Sequence, residues 1–202
     1  MLRLHHHPLS NFSRRVRMAL LEKNLEAELV LVDMPNGGHK AAPYLQINPY
    51  GRVPLIEDDG FILYESTAIL EYLDAKHPET PLIPTDPRGR GLCAMHMKLC
   101  DLQVGVETRT LIFPTRFVPR ERWDEPAMEA ARGRILKHLE VLEEQIGERE
   151  WMVDDRYTAV EVCYTPMVEF FGQVGITAPP RVDKWIGRML ARPSALATKP
   201  TK

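Results

Sequence analysis

Strand signals in this chain stop at residue 64, and helix signals carry nearly all of the remaining residues. That asymmetry restricts the fold more than any other feature, because it calls for a small α/β unit followed by a helical one. Leu2 to His7 reads as a short strand that Pro8 ends, since proline cannot donate to a ladder. From Ser13 to Asn24, Val16, Ala19, Leu20 and Lys23 fall at i, i+3, i+4, i+7 among charged residues, an amphipathic helix. Glu28 to Asp33 is an apolar, β-branched run too short for a helix, hence a strand, and Asn36-Gly37-Gly38 is a turn. A second unit comes next in the order ββα. Val53 to Glu57 is a strand, Asp58-Asp59-Gly60 a tight turn and Phe61 to Tyr64 the return strand. A helix then runs from Glu65-Ser66 to His77, where Pro78 stops it.

Between Glu79 and Gly91 the chain carries Pro81, Pro84, Pro87, Gly89 and Gly91, the density of an extended linker. The organisation expected is therefore a domain over 1–78, a linker over 79–87 and an all-helical domain over 88–202. Within the latter, helix-compatible segments cover roughly 90–117, 126–147, 158–173 and 181–192, with Ile135, Leu136, Leu139, Leu142 and Ile146 as an apolar stripe.

Hydrophobic residues at 44% and charged residues at 27% exclude a disordered chain. A net charge of −2 offers no field for nucleic acid or anionic lipid, apart from a local basic stretch at Arg109, Arg116, Arg120 and Arg122. That stretch is read either as a solvated helix end or as a face for an anionic partner. Cys93, Cys100 and Cys163 form neither a disulfide framework nor a metal knuckle. Cys93 and Cys100, seven apart, share a helix face and belong in a core. With no apolar stretch of signal-peptide or membrane length, the expectation is a cytoplasmic, soluble protein. His5-His6-His7 alternates faces along a strand without an acid or thiol to complete a metal site, so no metal is expected.

Three places can carry chemistry. In Asn48-Pro49-Tyr50-Gly51-Arg52-Val53-Pro54, Pro54 stands at a strand entry and is a candidate for a cis peptide. Such an entry leaves the Val53 backbone able to pair with an extended peptide as an added strand. Glu65-Ser66 opens a helix, where Ser66 is either an ordinary cap or, with the helix N-terminus, a carboxylate site. Pro8-Leu9-Ser10-Asn11-Phe12-Ser13 is a strand-to-helix turn with two hydroxyls. Ser13 is the better placed to cap the helix, which leaves Ser10 spare at the carboxyl edge of the sheet.

Taken together, INPYGRVPLIEDDGFILYESTAILEYLDAKHP resembles the cytosolic glutathione transferases, whose pattern is NPxGxVP, an acidic-Gly hairpin and then ES-x-AI-x-x-YL. Further on, Asp155 to Glu161 is similar to that family's capping box, with Thr158 and Glu161 reciprocally bonded. The family more often has Asp at the last position and a Gly near Val153. The resemblance implies an α/β thioredoxin-like N-terminal domain followed by an all-α domain, and glutathione as co-substrate. Val53 would pair with its cysteinyl unit, with Pro54 cis. Glu65 would hold the γ-glutamyl amino group and Ser66 its carboxylate. His39, Lys40 and Arg52 are candidates for the glycyl carboxylate, and Ser10 matches the first hydroxyl of the S-x-x-[SC] turn that serine-type, theta-like members use on the thiol. Asn11 and Ser13 stand as alternatives to Ser10. A hydroxyl there acts by hydrogen-bonding the thiolate rather than as a base. The electrophile pocket is expected between Leu9 and the first long helix of the second domain, with Val106, Arg109, Phe113 and Phe117 as lining. A homodimer is implied, with Asp101 a candidate to reach the partner's glutathione.

LYESTAILEYLDAKHPETPLIPTDPRGRG with Met95-His96 also resembles stringent starvation protein A, a relative that associates with RNA polymerase. That relative shows Pro-His-Pro-Pro where this chain has Pro78-Glu79-Thr80-Pro81. The alternative to an enzyme is thus a non-catalytic regulatory protein that binds RNA polymerase.

Overall fold

The computed structural model describes residues 1–200, which divide into two compact units. The first takes Met1–Ile83 together with residues 193–200, and the second takes Pro84–Arg192.

Four strands form the sheet of the first unit: β1 (Leu2–His6), β2 (Glu28–Leu31), β3 (Leu55–Asp58) and β4 (Phe61–Tyr64), in the order β2-β1-β3-β4. β1 and β2 are parallel, with Leu4 opposite Leu29. β3 is antiparallel to β1, with Ile56 opposite Leu4, and β4 is antiparallel to β3. The parallel pair requires a crossover, which α1 (Asn11–Glu22) supplies. At the β3–β4 hairpin, Asp59 and Gly60 both have positive φ, the conformation a two-residue turn needs for its twist to match the strands. α3 (Ser66–Lys76) comes after β4. Leu4, Val16, Leu20, Ile56, Ile69 and Leu73 form the core, drawn from β1, α1, β3 and α3. Burying each such aliphatic side chain contributes about 1.5–3 kcal/mol.

Three local expectations are corrected here. A six-residue helix, α2 (Ala42–Ile47), lies where none was foreseen. It is too short to show a period, and it forms because Tyr44 buries against Val32 and Val53. The expected linker is anchored in its first half. The buried Lys23 ammonium meets Asp74 at 2.8 Å and the Thr80 carbonyl at 2.8 Å, while Asp74 accepts from the Leu82 and Ile83 amides. The chain end is not part of the helical unit. α9 (Pro193–Ala197) packs on α1, where the buried Arg14 guanidinium donates to Ala195 O at 2.9 Å and Thr198 Oγ1 at 3.2 Å.

In the second unit the expected segment 90–117 is α4 (Pro87–Leu99), a six-residue π-helical turn (Cys100–Gly105) and α5 (Val106–Phe117). α6 (Glu125–Ile146) is capped by Asp124, which accepts from the Ala127 amide at 3.0 Å. α7 (Ala159–Val168) and α8 (Pro180–Leu190) complete the unit. Ile135, Leu139, Leu142 and Ile146 of α6 are all buried, as are Trp185 and Tyr164. Cys93 and Cys100 are buried too, and all three cysteines are free thiols. The capping box before α7 is present: Glu161 accepts from the Thr158 amide at 2.8 Å, and Thr158 Oγ1 accepts from the Val160 amide at 3.2 Å. No helix among the described residues is long and apolar enough to cross a membrane.

Candidate functional site

A small cleft of about 80 Å³ in the first unit is lined by Phe12, Asn48, Arg52, Val53, Pro54, Glu65 and Ser66. It joins the loop before β3 to the entry of α3. Five of the residues singled out in the sequence, Arg52, Val53, Pro54, Glu65 and Ser66, thus come to one place. Phe12 and Asn48 complete it and were not foreseen.

The loop is held from below. Buried Asn48 donates from Nδ2 to the Arg52 carbonyl at 2.8 Å and accepts the Tyr50 amide on Oδ1 at 3.1 Å. Tyr44 adds a second donor to the same carbonyl at 2.7 Å, and burial raises its phenol pKa to about 12, so it stays protonated and donating. Gly51 turns the chain with φ +57, and a Cβ there would lie 2.6 Å from the His39 carbonyl oxygen. Only glycine meets both demands. Val53 and Pro54 are joined by a cis peptide bond. Among the described residues, neither the amide nor the carbonyl of Val53 is bonded to another backbone group. A free amide and carbonyl of one residue can pair with an extended peptide.

Across the cleft stands the N-terminus of α3. Glu65, exposed, is its N-cap residue with φ +73, a backbone region costly for a non-glycine residue and typical of sites where side-chain direction matters. Its side chain makes no capping bond. Ser66 is buried, and its Oγ accepts from Nη1 of Arg15 at 3.2 Å. Arg15 is fully buried on α1 and also lies over the Phe12 ring, 4.9 Å from its centroid. The unspent amides of the helix start, a serine hydroxyl and a guanidinium behind it combine into a locally positive corner suited to a carboxylate. Arg15 was missed in the sequence because it borders the apolar stripe of α1, where an arginine usually extends to solvent.

The turn between β1 and α1 departs from expectation. Ser10, not Ser13, is the N-cap: its Oγ accepts from the Ser13 amide at 3.2 Å. The Ser13 hydroxyl is buried and accepts from the His7 amide at 3.4 Å. Ser10 is therefore not a spare hydroxyl, although the cap uses it only as an acceptor. Ser10, Leu9, His39 and Lys40 do not line the cleft. The Lys40 ammonium donates to the Tyr50 carbonyl at 3.1 Å, and His39 Nδ1 is buried without a hydrogen-bond partner among the described residues. His5 is engaged with Glu57.

On the helical unit, Val106, Arg109 and Phe113 are exposed on α5, and Phe113 packs against Phe117 at 5.2 Å between centroids. Of the basic stretch, Arg116 covers the rings of Phe117 and Phe170, and Arg120 covers that of Trp123.

Known proteins are similar to this chain in sequence and in fold. Residues 4–81 match the family model of the glutathione S-transferase N-terminal domain, and residues 107–193 that of its C-terminal domain. A glutathione S-transferase of Silene vulgaris is 31% identical over 204 residues, spanning 96% of this chain and 94% of that one. A stringent starvation protein A homolog of Coxiella burnetii is 28% identical over 177 residues, 88% of this chain and 79% of that one. The crystal structure of glutathione transferase F2 from Populus trichocarpa superposes with a TM-score of 0.90 at 26% identity, covering 98% of this chain and 97% of that one. Sheet order, domain order and both halves of the sequence agree, and the chain belongs to the glutathione S-transferase family.

Proposed function

We propose that this protein is an active glutathione transferase that stabilises the thiolate of glutathione for attack on a small electrophile. The cleft carries the reading. It sets the unpaired Val53 backbone opposite a helix N-terminus that Ser66 heads and Arg15 backs. A tripeptide fits this chemistry: its cysteinyl backbone pairs with Val53, its γ-glutamyl carboxylate meets Ser66 and the α3 amides, and its ammonium meets Glu65. Arg52, His39 and Lys40 are assigned to the glycyl carboxylate.

Ser10 is assigned to the sulfur. Because its Oγ accepts the Ser13 amide, its own O–H hydrogen is left to donate. One hydrogen bond to a charged acceptor is worth about 1.5–3 kcal/mol, enough to lower a thiol pKa by one to two units. The thiol proton leaves to solvent. The sulfur lone pair then forms the new C–S bond, while the electrophile's leaving group departs or its acceptor atom takes up a proton. Val106, Arg109 and Phe113 are assigned to the electrophile, Leu9 to the sulfur end of the site, and a cytoplasmic homodimer is the assembly.

Titration with glutathione near pH 7, monitored by the ultraviolet absorbance of the thiolate, tests the reading. A saturable signal that disappears in Ser10→Ala supports it. Saturation unchanged in that variant would move the sulfur contact to Asn11 or Ser13. No binding at millimolar glutathione would overturn the enzyme and favour the regulatory, RNA-polymerase-binding alternative.

A further inference from the structure

A second concavity of the first unit shares no residue with the glutathione cleft. It is an open groove of about 810 Å³ walled by Leu2 of β1, Leu20 and Leu21 of α1, Leu25 of the loop before β2 and Leu29 of β2, with Arg17 of α1 set into the wall. Leu21 and Leu29 are about half exposed, at 47% and 49%, so this leucine surface faces water.

Arg17 is what makes the groove more than an apolar patch. Three arginines stand close together on α1, and two are engaged. Arg14 donates to Ala195 and Thr198, and Arg15 donates to Ser66. Arg17 is half-buried and has no hydrogen-bond or ion-pair partner among the described residues. Burial, and then the neighbouring charge of Arg14, depress its pKa, which marks a cation short of compensation. Of the two acids on the rim, Glu28 is taken by Arg3 at 3.1 Å, and Glu26 makes no ion pair among the described residues. A carboxylate would satisfy the Arg17 fork with two parallel charge-assisted bonds, and an aliphatic chain would cover the leucines.

We propose that the groove binds an amphipathic monocarboxylate, its straight alkyl chain along Leu2, Leu21, Leu25 and Leu29 and its carboxylate on Arg17. The site goes beyond the transferase reading and does not depend on it.

Calorimetric titration of the full chain with octanoate, hexanoate and 1-octanol tests the proposal, using Arg17→Gln and Leu21→Glu as variants. Octanoate is expected to bind saturably and hexanoate about tenfold more weakly, because each buried methylene is worth about three- to fourfold. 1-Octanol, and octanoate with Arg17→Gln, should each bind about tenfold more weakly or not at all. Leu21→Glu changes an exposed position and should abolish octanoate binding without altering the far-ultraviolet circular dichroism. Absence of saturable octanoate binding, equal affinity for 1-octanol, or undiminished binding in either variant would overturn the proposal. Glutathione titration of both variants should match the parent chain, so failure of this site and failure of the transferase reading are read separately.

Discussion

Nη1 of Arg15 lies 3.2 Å from Oγ of Ser66, and both residues are buried. The bond joins α1 to the first residue of α3 and puts a positive charge behind the hydroxyl that a ligand carboxylate would meet in the cleft. Because the guanidinium occupies an oxygen lone pair, the serine O–H is left to donate to another acceptor, such as a carboxylate in the cleft. Ser66→Ala removes that donor and takes away one acceptor of the Arg15 guanidinium. The expected cost is about 1–3 kcal/mol in urea unfolding. Affinity for glutathione should fall about tenfold, while a cysteinylglycine dipeptide, which lacks the γ-glutamyl carboxylate, should bind the variant and the parent alike.

Gly51 carries the loop that presents Val53. With φ +57 and the His39 oxygen 2.6 Å from where a Cβ would stand, Gly51→Ala meets both strain and collision. A loss of about 2–3 kcal/mol is expected, with a lower thermal midpoint and weakened glutathione binding. The equivalent change at Gly60, where among the described residues no atom beyond its chain neighbours lies within 4 Å of the added carbon, incurs the φ +89 strain alone and should cost less.

Glu161 is fully buried and accepts four donors: the Met152 and Thr158 amides, the Thr158 hydroxyl and the Trp185 indole. Burial pushes its pKa up while these donors pull it back down. Glu161→Gln must turn an NH2 group toward at least one N–H donor. A destabilisation of about 2–4 kcal/mol should result in chemical unfolding, far above that of a surface Glu→Gln change such as Glu144→Gln.

Stability should fall on mild acidification. Burial first, then the nearby charge of Arg17 for His6 and of His138 for His96, hold both imidazoles down to about 4 from the usual 6.5. Burial lowers His138 as well. The unfolded chain therefore binds more protons than the folded one between pH 6.5 and 4, and unfolding free energy rises with pH across that window. It is fully present above 6.5 and is lost as pH drops toward 4, by roughly 3 kcal/mol for each fully expressed shift. Urea midpoints measured at intervals from pH 7 to 4 check this, and His96→Leu should flatten the slope whatever it does to the stability at neutral pH.

Much of this molecule is written locally. The period-two and period-3.6 patterns mark every strand and most helices of the two units. Asp59-Gly60 specifies its hairpin, the Val53-Pro54 dipeptide stands at the strand entry where the cis bond is found, and Thr158 with Glu161 specifies the start of α7. Each depends on a few neighbouring residues, so each is legible in a short window. Which polar groups are desolvated is instead a matter of tertiary packing. Either Ser10 or Ser13 could cap α1, and the role fell to Ser10 because Ser13 is fully buried and turned to the His7 amide. Arg15 could have reached solvent, and α2 has too few residues to show a period. Nothing local says that residues 193–200 return to α1, where Arg14 meets Ala195 across 181 positions of sequence. A buried guanidinium must find an acceptor wherever the chain offers one, and that search is settled by long-range packing rather than by the neighbours of the arginine.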